Sequence, residues 1–231
     1  MAKNKEVSKG DKSIIAVEEA LTKTERFFEK NQKIIFIVVG CIVVVVLGYF
    51  GFKKLYIEPK ENEAQDQIWV AQRYFEQDSL DKAIKGDGNN LGFEDIVSDY
   101  GMTKSGNLAK YYLGMCYLKK GQFQDAIDQL KSFDGNSEIV GPLAKGAIGD
   151  AYMELGDTDN AIDYYLAAAN KKSNEFTSSM FLFKAGFAYE DLGKYDKALE
   201  LYKRIQKEYF KSYEGRDIEK YISRCENMIK K

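Results

Sequence analysis

The sequence predicts an all-α protein, in which a single N-terminal transmembrane helix is followed by a solenoid of paired helices. Three observations predict this. First, a pattern of small and aromatic residues occurs three times, with glycines at Gly114, Gly149 and Gly186 marking the register. The copies read Leu113-Gly114, Tyr117, Gly121, Phe123, Ala126; then Ile148-Gly149, Tyr152, Gly156, Thr158, Ala161; then Ala185-Gly186, Tyr189, Gly193, Tyr195, Ala198. The period is 35 and then 37 residues, and a repeat of that length is one helical hairpin, which buries its apolar face only against neighbouring copies. Second, residues 34–52 carry no charge. Third, the chain has 2 prolines against 16 tyrosines and 14 phenylalanines, a composition that suits helices packed through aromatic side chains.

Residues 1–33 form the tail ahead of the span. In it, Ile14, Val17, Leu21 and Phe28 recur at helical spacing, with Phe27 beside the last, and Glu18, Glu19, Lys23, Glu25 and Arg26 fill the other faces. The spacing predicts an amphipathic helix that lies on the cytoplasmic leaflet or docks on a membrane partner. Residues 34–52 follow, bounded by Lys33 and Lys53. As a helix they extend about 28 Å, close to the ~30 Å hydrocarbon core of a bilayer. Tyr49, Phe50, Phe52 and Tyr56 are placed for an aromatic belt at its C-terminal interface. The length of the apolar stretch and the absence of small residues after it point to an uncleaved signal anchor. Lys23, Arg26, Lys30 and Lys33 on the N-terminal side weigh against Lys53, Lys54 and Lys60 on the other. This slight excess favours a cytoplasmic N-terminus and a domain outside the cytoplasm, with the opposite topology as the alternative.

Residues 53–106 are read as a linker and a degenerate first hairpin. Glu58-Pro59 interrupts the helix leaving the span. Residues 67–75 and 79–84 carry Ala71, Tyr74, Leu80 and Ala83 where later copies place Gly, Tyr, the aromatic and Ala. The Gly/Asp/Asn stretch 86–90 is a loop. It lacks the alternating oxygen ligands and closing glutamate of a calcium-binding EF-hand. A short helix over 93–100 then covers the junction.

Residues 107–211 hold the three regular hairpins. Gly114, Gly149 and Gly186 sit mid-helix, at a cost of about 1 kcal/mol each relative to alanine. That cost is offset if the partner helix approaches there, and Ala126, Ala161 and Ala198 are the small residues expected to meet them. Gly121, Gly156 and Gly193 are placed to end each first helix in a left-handed cap. Tyr117, Tyr152 and Tyr189 are expected to fill the space between hairpins, as are Leu130, Tyr165 and Tyr202 on the second helices. Residues 212–231 form a capping helix, with Ile218, Tyr221, Ile222, Cys225, Met228 and Ile229 on one face.

Leu-Gly, then Tyr, then Gly-x-aromatic, then Ala at these offsets resembles the tetratricopeptide repeat (TPR). The likeness covers about residues 107–210 and, more faintly, 64–84. The chain departs from the repeat in lacking its closing proline, in the short turn at 133–136, and in a two-residue insertion near 170–174. The layout as a whole, with Glu25-Arg26-Phe27-Phe28-Glu29-Lys30-Asn31 before one span and then a TPR domain, is similar to the YfgM-like ancillary subunits of the SecYEG translocon. That resemblance implies an inner-membrane, single-pass protein with its TPR domain in the periplasm. It also implies protein partners: translocon subunits, periplasmic chaperones or unfolded chains.

In TPR proteins the first helix of each hairpin lines the concave surface. Carried over, the lining residues are Leu108, Tyr111, Met115 and Leu118; then Leu143, Asp150, Met153 and Glu154; then Met180, Phe183, Phe187, Glu190 and Asp191. The clamp that holds C-terminal carboxylates in some TPR domains uses Lys, Asn and Arg. Here Tyr111, Met115, Gly146, Asp150 and Phe183 stand at those places, which argues against that mode. Methionines and aromatics flanked by carboxylates suit an apolar or basic segment, extended or helical. The alternative is that the stripe is covered by residues 86–106 or by the curl of the solenoid.

Several functions are argued against. With no histidine, the commonest general base, the Ser-His-Asp arrangement and His-ligated metals are all missing. The three cysteines stand singly without a CxxC and are read as packing residues. Carboxylate pairs such as Asp157/Asp159 and Asp125/Asp128 fall at turns and helix starts, where acids cap helices. A net charge of −2 gives no footing for nucleic acid. The expectation is therefore no enzyme, no cofactor, no metal and no small-molecule substrate. The leading function is a membrane-anchored scaffold assisting protein translocation or folding outside the cytoplasm. The alternatives are a cytoplasm-facing receptor or a scaffold for envelope or division machinery.

Overall fold

The computed structural model describes the backbone of residues 9–230 and the side chains of residues 29–230. The stripe of Ile14, Val17, Leu21 and Phe28 therefore lies outside the described side chains. The chain divides into two units, residues 1–56 and 57–231.

The first unit contains helix α1 (Lys9–Phe52), with no interruption at residue 33, and the start of a π-helical turn, Lys53–Ile57. Along residues 34–52 the large apolar side chains other than Ile35 are exposed, Val44 at 70% and Leu47 at 66% among them. Helix α1 is long and apolar enough to cross a membrane. At its C-terminal end Phe52 stacks on Tyr56, with ring centroids 5.1 Å apart, and Tyr49 meets Phe50 edge to face.

The second unit is a succession of helical pairs. Helix α2 (Glu58–Glu76) pairs with α3 (Leu80–Lys85); Pro59, expected to interrupt the helix, sits in the first turn of α2 directly after the π-helical turn, which takes the place of a break. Helix α4 (Phe93–Tyr100) then leads into α5 (Lys104–Lys119), which pairs with α6 (Phe123–Ser132). Two further pairs follow: α7 (Val140–Glu154) with α8 (Thr158–Lys171), and α9 (Thr177–Asp191) with α10 (Tyr195–Glu208). A 3₁₀ turn at Glu214–Asp217 and α11 (Ile218–Ile229) cover the last face, burying Ile218, Ile222 and Cys225. Among the described residues there is no strand.

Every regular hairpin turns by the same chemistry. Gly121, Gly156 and Gly193 have φ of +74°, +75° and +68°. The N–H after each one donates to the carbonyl of the repeat tyrosine: Gln122 to Tyr117, Asp157 to Tyr152 and Lys194 to Tyr189, all at 2.9 Å. This is a Schellman cap, which satisfies carbonyls that a helix end leaves orphaned. The degenerate hairpin makes the same bond, Ser79 N–H to the Tyr74 carbonyl at 2.9 Å, with Asp78 at φ 55° in the place of glycine. The Asp78 carboxylate is held by Lys119 at 2.6 Å.

Successive first helices run side by side in the same sense. Near the starts of α2 and α5, Ser105 donates its N–H and hydroxyl to Glu61, at 3.0 and 2.9 Å. At their far ends, Lys119 meets Asp78. Burial of Glu61 raises its pKa, but the Ser105 and Gln65 hydrogen bonds outweigh that and leave it lowered. Asn107 in the first turn of α5 bonds Asp134 just ahead of α7, at 2.8 and 3.1 Å, and Ser179 in the first turn of α9 donates to Glu214 at 2.7 Å, so the first-helix starts lie on one edge of the solenoid.

Candidate peptide groove

The middle of each first helix is glycine because the second helix crosses there. A Cβ on Gly149 would lie 2.6 Å from the Tyr165 ring, and one on Gly186 would lie 2.5 Å from the Tyr202 ring. At Gly114 the neighbour is Leu130. Alanines had been expected to meet these glycines. Ala126, Ala161 and Ala198 are fully buried, but the atoms facing the glycines come chiefly from the residue four positions later. An alanine one turn away leaves room for the larger side chain to reach across.

That crossing delivers a tyrosine hydroxyl to a carboxylate on the first helix. Tyr165 donates to Asp150 at 2.7 Å, and Tyr202 donates to Glu190 at 2.6 Å. Each carboxylate then receives a cation from the next element along the solenoid. Lys184 reaches both Asp150 oxygens, at 2.7 and 2.8 Å, and Arg224 on α11 reaches Glu190 at 2.7 Å. Burial, then the bond to the carboxylate, pushes both tyrosine hydroxyls far above their ordinary range. The Arg224 pKa is raised in turn by its bond to Glu190.

Between these ties lies a cleft of about 570 Å³ that spans three hairpins. Leu118 and Phe123 wall one end, Asp150, Met153, Glu154 and Tyr165 the middle, and Phe183, Lys184, Phe187 and Ala188 the other. A second cleft of about 300 Å³ continues past Phe187, along Glu190, Asp191, Tyr195, Arg224 and Met228. Phe187 is thus shared by both, and it is 46% exposed.

Of the residues expected to line a groove, Leu118, Asp150, Met153, Glu154, Phe183, Phe187, Glu190 and Asp191 line these two clefts. The others lie elsewhere. Leu108 packs in the core formed by α2 to α5, while Tyr111 meets Phe133 and Tyr112. Met115 packs against the α6–α7 core, and Met180 against the core of α8 to α11. The tyrosines of the repeat are half-buried. Tyr117 donates to Glu94 at 2.7 Å, Tyr152 stacks on Tyr164 and accepts from Lys131, and Tyr189 packs in the last core. Lys184 and Arg224 do not follow from the repeat, because nothing in its spacing tells which charges meet across hairpins; Phe123, the aromatic of the first copy, lines the cleft as well.

The electrostatic picture also shifts. Asp150 and Glu190 are occupied by internal cations, leaving Glu154 and Asp191 as the cleft carboxylates outside any ion pair among the described residues. Residues 86–106 pack with α2, α3 and α5, away from the cleft between α7 and α9.

Two stretches match tetratricopeptide repeat family models, residues 147–213 and residues 108–134. Among solved structures the chain is similar to a Podosopora anserina kinesin-light-chain-type protein of nearly identical TPR-like repeats. The two share 17% identity at a TM-score of 0.55, over 73% of this chain and 87% of that one. It is also similar to MamA, at 19% identity and a TM-score of 0.51, over 75% of this chain and 90% of that one. At these identities the likeness concerns the fold alone. No curated protein sequence matches the chain. The chain carries TPR hairpins, a fold that serves as a scaffold for binding other proteins.

Proposed function

We propose that this is a single-pass membrane protein whose solenoid, outside the cytoplasm, binds polypeptides during translocation or folding. One observation carries the reading: a single chain joins an uncharged helical stretch with its apolar side chains exposed to hairpins that hold an apolar cleft. Exposed isoleucine, valine and leucine over that length are stable in lipid and not in water. The layout's likeness to YfgM-like translocon subunits supports the inner membrane, a cytoplasmic N-terminus and a periplasmic domain. It also supports translocon subunits, chaperones or emerging chains as partners. Catalysis forms no part of this reading.

The cleft favours an apolar segment laid across Phe123, Met153, Phe183 and Phe187. Methionine and phenylalanine adapt to varied apolar side chains, and Glu154 and Asp191 at the rim suit an adjacent lysine or arginine. A reporter fused after Lys231 tests the topology. Activity only when the reporter is exported supports it; activity only in the cytoplasm assigns the chain to a cytoplasm-facing receptor instead.

A further inference from the structure

One edge of the solenoid carries large apolar side chains that neither the core nor the cleft uses. Met102, Ile139, Phe176 and Tyr213 stand at equal intervals of sequence, each just before the start of a first helix or of its 3₁₀ counterpart. They are 72%, 42%, 60% and 82% exposed. Phe210, 61% exposed, joins them at the end of α10, with the Lys211 ammonium 5.5 Å from its ring centroid.

Helix capping does not explain these residues. Ile139, Phe176 and Tyr213 hold N-cap positions, where Ser, Thr, Asp or Asn is favoured, and they supply no side-chain cap. The capping is done two residues earlier in α7 and α9. The Ser137 hydroxyl accepts from the N–H of Val140 at 3.2 Å, and the Asn174 side chain accepts from Phe176 and Thr177 at 3.0 and 2.8 Å. The polar work is thus displaced, and the large apolar group is turned outward at the same point of each hairpin.

This edge is also where the second unit begins. Ile57 is the N-cap of α2, and α2 starts on the same edge as α5, as the Glu61–Ser105 bonds require. We propose that the edge bearing Met102, Ile139, Phe176, Phe210 and Tyr213 rests on the surface of a lipid bilayer. The inference builds on the membrane-anchored reading above. The chain enters the second unit at this edge about five residues after the uncharged stretch ends, so a short tether holds the edge at high local concentration beside the lipid. None of the five residues lines either of the two clefts, and they stand as a row of exposed knobs along the edge. Such a row suits a fluid interface, where aromatic rings and methionine insert among headgroups while lysine stems keep their charge in water. Lys104, Lys172, Lys211 and Arg216 are exposed beside them, but so are Glu138 and Glu175, so anionic lipid is not required.

The test uses the full chain reconstituted in phosphatidylcholine vesicles, with brominated acyl chains as the quencher. Trp69, the one tryptophan, is first replaced by phenylalanine. Phe176→Trp and Tyr213→Trp are then compared with Leu155→Trp and Leu192→Trp, at exposed positions on the opposite edge. Brominated lipid is expected to remove most of the emission of the first pair and little of the second. Equal quenching at both edges, or none at either, overturns the inference. If the chain stays with the vesicles through alkaline carbonate while the first pair is unquenched, only the edge inference falls. If the chain washes off, the anchored reading falls and takes the inference with it. A photo-crosslinker at Tyr213 that traps a protein in cells, together with no lipid quenching, assigns the edge to a protein partner and overturns it as well.

Discussion

Tyr165, Asp150 and Lys184 join two hairpins through a single carboxylate, and removing that carboxylate strands a buried hydroxyl. Asp150→Ala should lower the unfolding free energy by about 1–3 kcal/mol, measured by urea titration. Most of that loss comes from Tyr165, because the Lys184 ammonium keeps much of its solvent. Alkaline pH acts on the same site. Tyrosine ionises near pH 10 in an unfolded chain, whereas Tyr165 and Tyr202 hold their protons to higher pH in the fold. Above about pH 10 the unfolded state has fewer bound protons than the native state, so stability falls as pH rises. Tyr165→Phe should flatten that fall, and thermal melts between pH 9 and 11 check it. Burial also pushes the Cys116 thiol up to about 12, so it should resist thiol reagents until the domain unfolds.

At the scale of the element, much of the hairpin was legible in the sequence, because its demands are local and repeat in every copy. A left-handed cap needs glycine at one place, and Gly121, Gly156 and Gly193 announce it. The short helix at Phe93–Tyr100 and the capping helix were legible from spacing as well. Asp78 shows where locality stops: it takes the left-handed conformation without being glycine, and only the neighbouring Ala71, Tyr74 and Ala83 betray the fourth turn. The cleft was half legible. Phe183, Phe187 and Met153 follow from helix phase. Lys184 and Arg224 do not, since they act across hairpins 34 residues apart. Leu108, Tyr111, Met115 and Met180 share that phase, yet neighbouring elements take them into the cores. Two substitutions separate the glycine roles. Gly149→Ala drives a Cβ into the Tyr165 ring and should cost about 1–3 kcal/mol. Gly156→Ala has open space around it and pays only for its positive φ, about 1–2 kcal/mol. Thermal denaturation of both variants should rank Gly149→Ala as the more destabilised.

For the whole molecule, the account joins a lipid-seeking helix to a solenoid that presents an apolar cleft to other chains. The helix is tested by its own chemistry. Val44→Lys places a charge mid-run at a cost of about 2.5–3.5 kcal/mol and should shift protein from the membrane to the soluble fraction on alkaline extraction. Binding is the central claim, and its most direct measurement is site-specific photo-crosslinking from Phe187 in the full chain within cells. Lys207, exposed on α10 and outside both clefts, serves as the comparison. The account predicts a polypeptide adduct from position 187 and none from 207. No adduct from either position, or the same adducts from both, would contradict it.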